Sequence, residues 1–105
     1  MGGTGAWELA VSYPDLFRCV APCSGSVRTS KKTLSALKDM PIRTFVGSED
    51  TAVNPQKTID FMAQLTKTNS QAKMTLFEGA AHTDVPELVF LDDNIGLIQW
   101  LIEAL

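Results

Sequence analysis

No stretch of about 18 apolar residues occurs, so nothing in the sequence spans a bilayer as a helix. Basic residues are in short supply too: 9 Lys and Arg stand against 12 Asp and Glu, giving a net charge of −3. That balance argues against nucleic acid or a membrane surface as partner. The opening MGGTGAWELA lacks the basic patch and apolar core of a secretory leader. There is no internal repeat, no low-complexity tract and no long linker, and 105 residues suit a single domain, residues 1–105, rather than two. Cysteine is confined to Cys19 and Cys23. Four apart on an extended segment, they would stand about 13 Å from one another. A disulfide needs Cα atoms within roughly 7 Å, so the two are expected to be free. Free thiols acting as small apolar fillers fit a reducing, cytoplasmic location.

What the chain does have is an ordinary globular composition, 45% hydrophobic and 20% charged. Its apolar residues are grouped in alternating periods. Ala6, Trp7, Leu9 and Ala10 recur at helical spacing within residues 5–12, and Tyr13-Pro14 ends that segment. Residues 17–23 (FRCVAPC) form a short apolar run that reads as a buried strand, with Pro22 near its end. A short helix over residues 33–40 would turn Leu34 and Leu37 inward. Residues 41–47 (PIRTFVG) are β-rich and lead into a polar loop, after which Pro55 opens a helix in its first turn. Ile59, Phe61, Met62 and Leu65 give that helix an apolar stripe. Residues 73–77 (KMTLF) make a third strand, residues 78–87 a loop, and residues 88–105 a helical stretch broken near Asp92-Asp93-Asn94. The expected fold is therefore α/β, with about three parallel strands alternating with helices through right-handed crossovers. The first strand would present an open apolar edge, a site for self-association, so a homodimer or edge-paired assembly is expected.

In open α/β sheets the reactive groups collect beyond the carboxyl ends of the strands. Two loops leave strands there carrying titratable side chains: Gly47-Ser48-Glu49-Asp50 and Gly79-Ala80-Ala81-His82-Thr83-Asp84. A carboxylate after one strand and a histidine after its neighbour is an arrangement in which the acid can orient an imidazole acting as general base. Glu49 rivals Asp50 for the acid role. Each residue has a plainer reading beside this one. A lone histidine is usually a solvated or satisfied side chain, and a loop carboxylate usually caps its own turn. His82-Thr83-Asp84 offers too few donors for zinc, so no metal is expected. Gly2-Gly3-Thr4-Gly5 is followed by no Gly-Lys-Ser/Thr, which leaves no phosphate loop and no cofactor to predict. Trp7 and Trp100 read as core aromatics. Ser24 and Ser26 lie at a strand end without a helix at once behind them, unlike a nucleophile elbow.

Taken together, five segments resemble the α/β-hydrolase superfamily, in particular its esterase, phospholipase/carboxylesterase, dienelactone-hydrolase-like and prolyl-oligopeptidase-like members. Two of them are Val20-Ala21-Pro22-Cys23-Ser24-Gly25, like the strand after the elbow helix, and Trp100-Leu101, like the closing helix. Residues 1–10 with Tyr13-Pro14-Asp15-Leu16-Phe17 resemble the segment that follows a Gly-x-Ser-Met-Gly-Gly elbow. Val46-Gly47-Ser48-Glu49-Asp50 through Pro55 resembles the family's acid loop, and Gly79-Ala80-Ala81-His82 its histidine loop. The order nucleophile, acid, histidine is also the family's. The resemblance implies that Asp50 is the triad acid, that His82 is the base, and that Met1 supplies half of an oxyanion hole. It further implies a nucleophile, Ser or Cys, just before Met1, so that the chain would be the C-terminal half of a hydrolase acting on a small-molecule ester, or alternatively a peptide, and inactive alone. Val85 stands where many relatives carry a tryptophan. The alternative is a non-catalytic, self-associating or partner-binding module built on the same fold.

Overall fold

The computed structural model describes residues 2–92 and 95–104. Its elements run α1 (Gly2–Ser12), a 3₁₀ turn (Pro14–Leu16), α2 (Lys31–Ala36), β1 (Ile42–Gly47), α3 (Pro55–Leu65), β2 (Ala72–Phe77), α4 (Asp84–Leu91) and α5 (Leu97–Glu103). The fold is α/β. β1 and β2 pair in parallel, from Ile42 opposite Ala72 to Gly47 opposite Phe77. Among the described residues no helix is long and apolar enough to cross a membrane.

The segment expected as a first strand does lie along β1, on the side away from β2, but only as two isolated bridges, Val20 with Ile42 and Cys23 with Phe45. Both keep one register. Val20 N–H donates to the Pro41 carbonyl and Arg43 N–H to that of Val20; then Phe45 N–H donates to Pro22 and Ser24 N–H to Phe45. The bond missing from this ladder is the one that residue 22 would donate, and Pro22 has no N–H. One absent donor turns a continuous third strand into two bridges. Cys19 and Cys23 are free, and burial raises the pKa of both thiols.

Successive residues of β1 point to opposite sides. Ile42 joins Trp7, Leu37, Phe61, Met62 and Leu65 in a core beneath α1 and α3. Phe45 joins Ala80, Val85, Val89 and Leu97 in a second core beneath α4 and α5. Trp7 and Phe61 meet edge to face at 5.5 Å, both fully buried. Truncating either to Ala would cost about 3–5 kcal/mol, the usual cost of emptying an aromatic site in a core. The inner stripe of α3 is Thr58, Phe61, Met62 and Leu65. Thr58 takes an inward place because its hydroxyl donates to the Gly25 carbonyl at 2.7 Å.

Three helices begin earlier than the sequence pattern suggests. α2 runs from Lys31 to Ala36 because Ser30 and Thr33 form a capping box ahead of the expected start at 33. α1 starts at Gly2 despite three glycines in its first residues, and its first turn rests on tertiary contact rather than propensity. A Cβ on Gly3 would lie 2.1 Å from the Cys23 carbonyl oxygen, and one on Gly25 only 2.2 Å from the carbonyl carbon of Gly3. Only glycine lets the helix and the strand end meet backbone to backbone. α4 starts at Asp84, inside the expected loop. Pro86 is compatible with this because the first-turn N–H groups have no intrahelical acceptor. The expected break in the C-terminal helical stretch falls between α4 and α5, where Gly96 adopts φ +62°; Asp93 and Asn94 lie outside the described residues.

Candidate active site

β1 ends at Gly47, where any side chain would collide with the next loop: a Cβ there would sit 2.3 Å from the Ala80 carbonyl oxygen. The chain turns through Ser48 and Glu49 and delivers Asp50 into the interior, its side chain 2% exposed. Asp50 Oδ1 accepts from the N–H groups of Ala52 and Val53, each at 2.8 Å. Oδ2 is 2.7 Å from His82 Nδ1. Burial by itself would raise the carboxyl's pKa. The Val53 N–H, the His82 ring and the Ala52 N–H outweigh it, and the net effect holds Asp50 below the usual carboxylate range. An ionised carboxylate can only accept, so Nδ1 carries the proton and a neutral ring keeps its lone pair at Nε2.

The histidine loop is tied to the acid loop residue by residue. Ser48 N–H donates to Phe77 at 3.0 Å, and Glu49 N–H to Ala80 at 2.9 Å. Gly79, at φ +79°, donates its N–H to Ser48 Oγ at 2.7 Å. Ala81 N–H donates to Asp84 Oδ2 at 2.9 Å. Asp84 thereby caps its own turn, and no group of three or more His, Cys, Asp or Glu among the described residues could hold a metal ion. His82 follows, its side chain 29% exposed.

His82 shares a cavity of about 500 Å³ with Gly2, Gly3, Ala21, Cys23 and Ser24. The N-terminus of α1 thus forms one wall and the histidine another. Ser24 is 3% exposed, and its hydroxyl donates to the His82 carbonyl oxygen at 3.0 Å. The structure therefore joins Asp50 to His82 and leaves Glu49 exposed on the turn. Met1, the expected oxyanion donor, lies outside the described residues. The bonds made by Ser24 and Ser48 were not foreseen. A short serine after each strand end was the only available signal, and it does not name a partner.

The profile of the dienelactone hydrolase family matches residues 1–86. No curated protein matches at a significant level. Among solved structures, a thermostable esterase superposes with a TM-score of 0.82 at 22% identity, over 97% of this chain and 28% of its own. Arabidopsis thaliana SOBER1 gives 0.69 at 17% identity, over 97% of this chain and 49% of its own. A PHB depolymerase complexed with an R3HB trimer gives 0.62 at 20% identity, over 77% of this chain and 36% of its own. At these identities the likeness concerns the fold, and the chain spans less than half the length of each structure.

Proposed function

Since the chain belongs to the dienelactone hydrolase family, we propose that it carries the acid and the base of a nucleophile–His–Asp triad that hydrolyses carboxylic esters of small molecules. The observation that carries this reading is the 2.7 Å bond between Asp50 and His82, whose ring borders the cavity walled by the start of α1. In the proposed reaction a Ser or Cys nucleophile, placed immediately before α1 in the complete polypeptide, attacks the ester carbonyl. His82 Nε2 takes its proton and returns it to the leaving alcohol; it then deprotonates a water that attacks the acyl-enzyme, freeing the acid and the nucleophile. Asp50 holds the proton-bearing Nδ1 and stabilises the imidazolium that forms. Backbone N–H groups at the start of α1 face the developing oxyanion.

Hydrolysis of p-nitrophenyl acetate tests this. The 105-residue chain alone is expected to show no turnover that depends on His82. With its native upstream residues present it should hydrolyse the ester, and a fluorophosphonate or iodoacetamide label should mark the nucleophile. Activity of the chain alone that vanished in His82→Ala would overturn the upstream placement of the nucleophile and direct the search to Ser24. Turnover of the longer polypeptide that survived His82→Ala would sink the assignment of the base.

A second reading keeps the fold without the chemistry. Among the described residues no strand pairs with the outer edge of residues 19–23, and Leu16 and Phe17 beside it are exposed, which favours edge-to-edge self-association. A monomer by light scattering would count against it.

A further inference from the structure

Ser24 is the only described non-glycine residue with a positive φ, +54°. A buried serine sustains that conformation only where its surroundings over-determine it, and glycine would adopt it freely. The hydroxyl is what distinguishes serine from glycine here, and it is spent on a single acceptor, the main-chain oxygen of His82 at 3.0 Å. At the same time the Ser24 N–H donates to Phe45 of β1 at 2.8 Å. One residue thus links the bridged segment, the central strand and the loop beyond the far strand.

The placement matters for the imidazole. Gly79 and Ala80 are fastened to the loop after β1, and Ala81 to Asp84 at the start of α4. His82 is instead held from two directions, its ring by Asp50 after β1 and its carbonyl by Ser24 from the other side of β1. With the ring nitrogen and the peptide oxygen both anchored, the backbone of His82 has little freedom to swing the ring away from the acid. We infer that Ser24 is a positioning residue for His82, fixing through its hydroxyl the peptide that carries the base. This rests on the reading of His82 as the base, and it extends that reading to a residue outside the triad.

His82 is the only histidine, so ¹⁵N-histidine labelling reports one imidazole without assignment. In the 105-residue chain the Nδ1–H bonded to Asp50 should give a sharp, far-downfield proton resonance that exchanges slowly with water. Ser24→Gly removes the hydroxyl while suiting the backbone, and Ser24→Thr keeps a hydroxyl. The expected result is a resonance broadened or lost in Ser24→Gly, with solvent exchange accelerated about ten-fold or more as an oriented bond becomes a loose one. The dispersed amide spectrum should be retained, and Ser24→Thr should restore the signal. An equally sharp, equally protected resonance in Ser24→Gly overturns the inference while leaving the Asp50–His82 pair intact. Absence of the resonance from the folded wild-type chain overturns the pair itself and this inference with it. Should Ser24→Gly lose amide dispersion, Ser24→Ala, which keeps the Cβ, serves in its place. Unfolding of both would show that Ser24 sustains the fold generally and would also overturn the inference.

Discussion

The acid loop and the histidine loop solve the same problem in opposite ways. Asp50 is fixed by its own neighbours, the N–H groups of Ala52 and Val53, and its side chain is almost wholly enclosed. His82 takes its orientation from distant residues, Asp50 and Ser24, and keeps more than a quarter of its side chain exposed. A buried carboxylate benefits from a rigid local cradle that satisfies its charge. On the proposed reading the imidazole exchanges a proton and has to face the cavity, so its support comes from behind and from far along the chain. Local structure therefore sets Asp50, and tertiary structure sets His82.

The sharpest test of this division is catalytic. On the proposed reading, in a polypeptide that includes the nucleophile, His82→Ala should lower kcat by about 10⁶-fold and Asp50→Asn by about 10⁴-fold, the spread seen when the base and its orienting acid are removed singly from a triad. Equal losses from p-nitrophenyl acetate kinetics would erase the distinction between a part that reacts and a part that holds.

Next comes the junction between the loops. Gly47→Ala places a methyl against the Ala80 carbonyl and must push the two loops apart. We expect it to cost about 1–3 kcal/mol, the range for overpacking, and to lower Tm by several degrees in thermal melts. An unchanged Tm would mean that the loops are not in backbone contact.

The pH dependence separates the loops differently. Because the Asp50 pKa is lowered in the folded state, the carboxylate contributes stability above its unfolded value, near 3.9. That contribution disappears as pH falls through the folded pKa. Wild type should thus be more stable than Asp50→Asn at neutral pH, with the two melting curves converging below about pH 3.9. Curves that stay parallel across that window would show that the cradle does not favour the charged form.

The smallest effect is expected at Pro22, outside both loops. Pro22→Ala supplies the donor the ladder lacks, toward the Arg43 carbonyl, and adds freedom to the unfolded chain. A net hydrogen bond and the loss of proline's constraint each amount to about 1 kcal/mol and oppose one another. The melting temperature should hardly move, while protection of the new amide in hydrogen exchange should become measurable.

The same contrast explains what could be read from the sequence. The β1–loop–α3 unit was legible because its determinants are local: a β-rich run, Gly47, a polar loop and Pro55 in the first turn of a helix. Asp50 could be picked out within it, and His82 by its place after the next strand. The continuity of the first strand was misjudged because Pro22 costs one bond in the middle of the pairing and not at its end. The start of α4 at Asp84 was missed because a proline in a first turn resembles one in a loop. Thr58 went unnoticed on the inner face of α3, since its acceptor, Gly25, is remote in sequence. In the sequence Ser24 stands out only as a nucleophile candidate without an elbow. Neither its positive φ nor its bond to His82 leaves any local trace.

The parallel pairing on both sides of β1 also has a kinetic consequence. No hairpin exists among the described pairings that could zip up from a tight turn. Val20 must find Ile42, and Ile42 must find Ala72, each across a complete crossover. Closing such loops spends chain entropy before any contact rewards it, which slows the search relative to a helical bundle. β1 is the common partner, and the two anchors of His82 emerge from β1 and from the segment bridged to it. The imidazole can be seated only after both crossovers have closed. The Asp50–His82 bond should therefore form in a single late step of folding, with no earlier species that carries it.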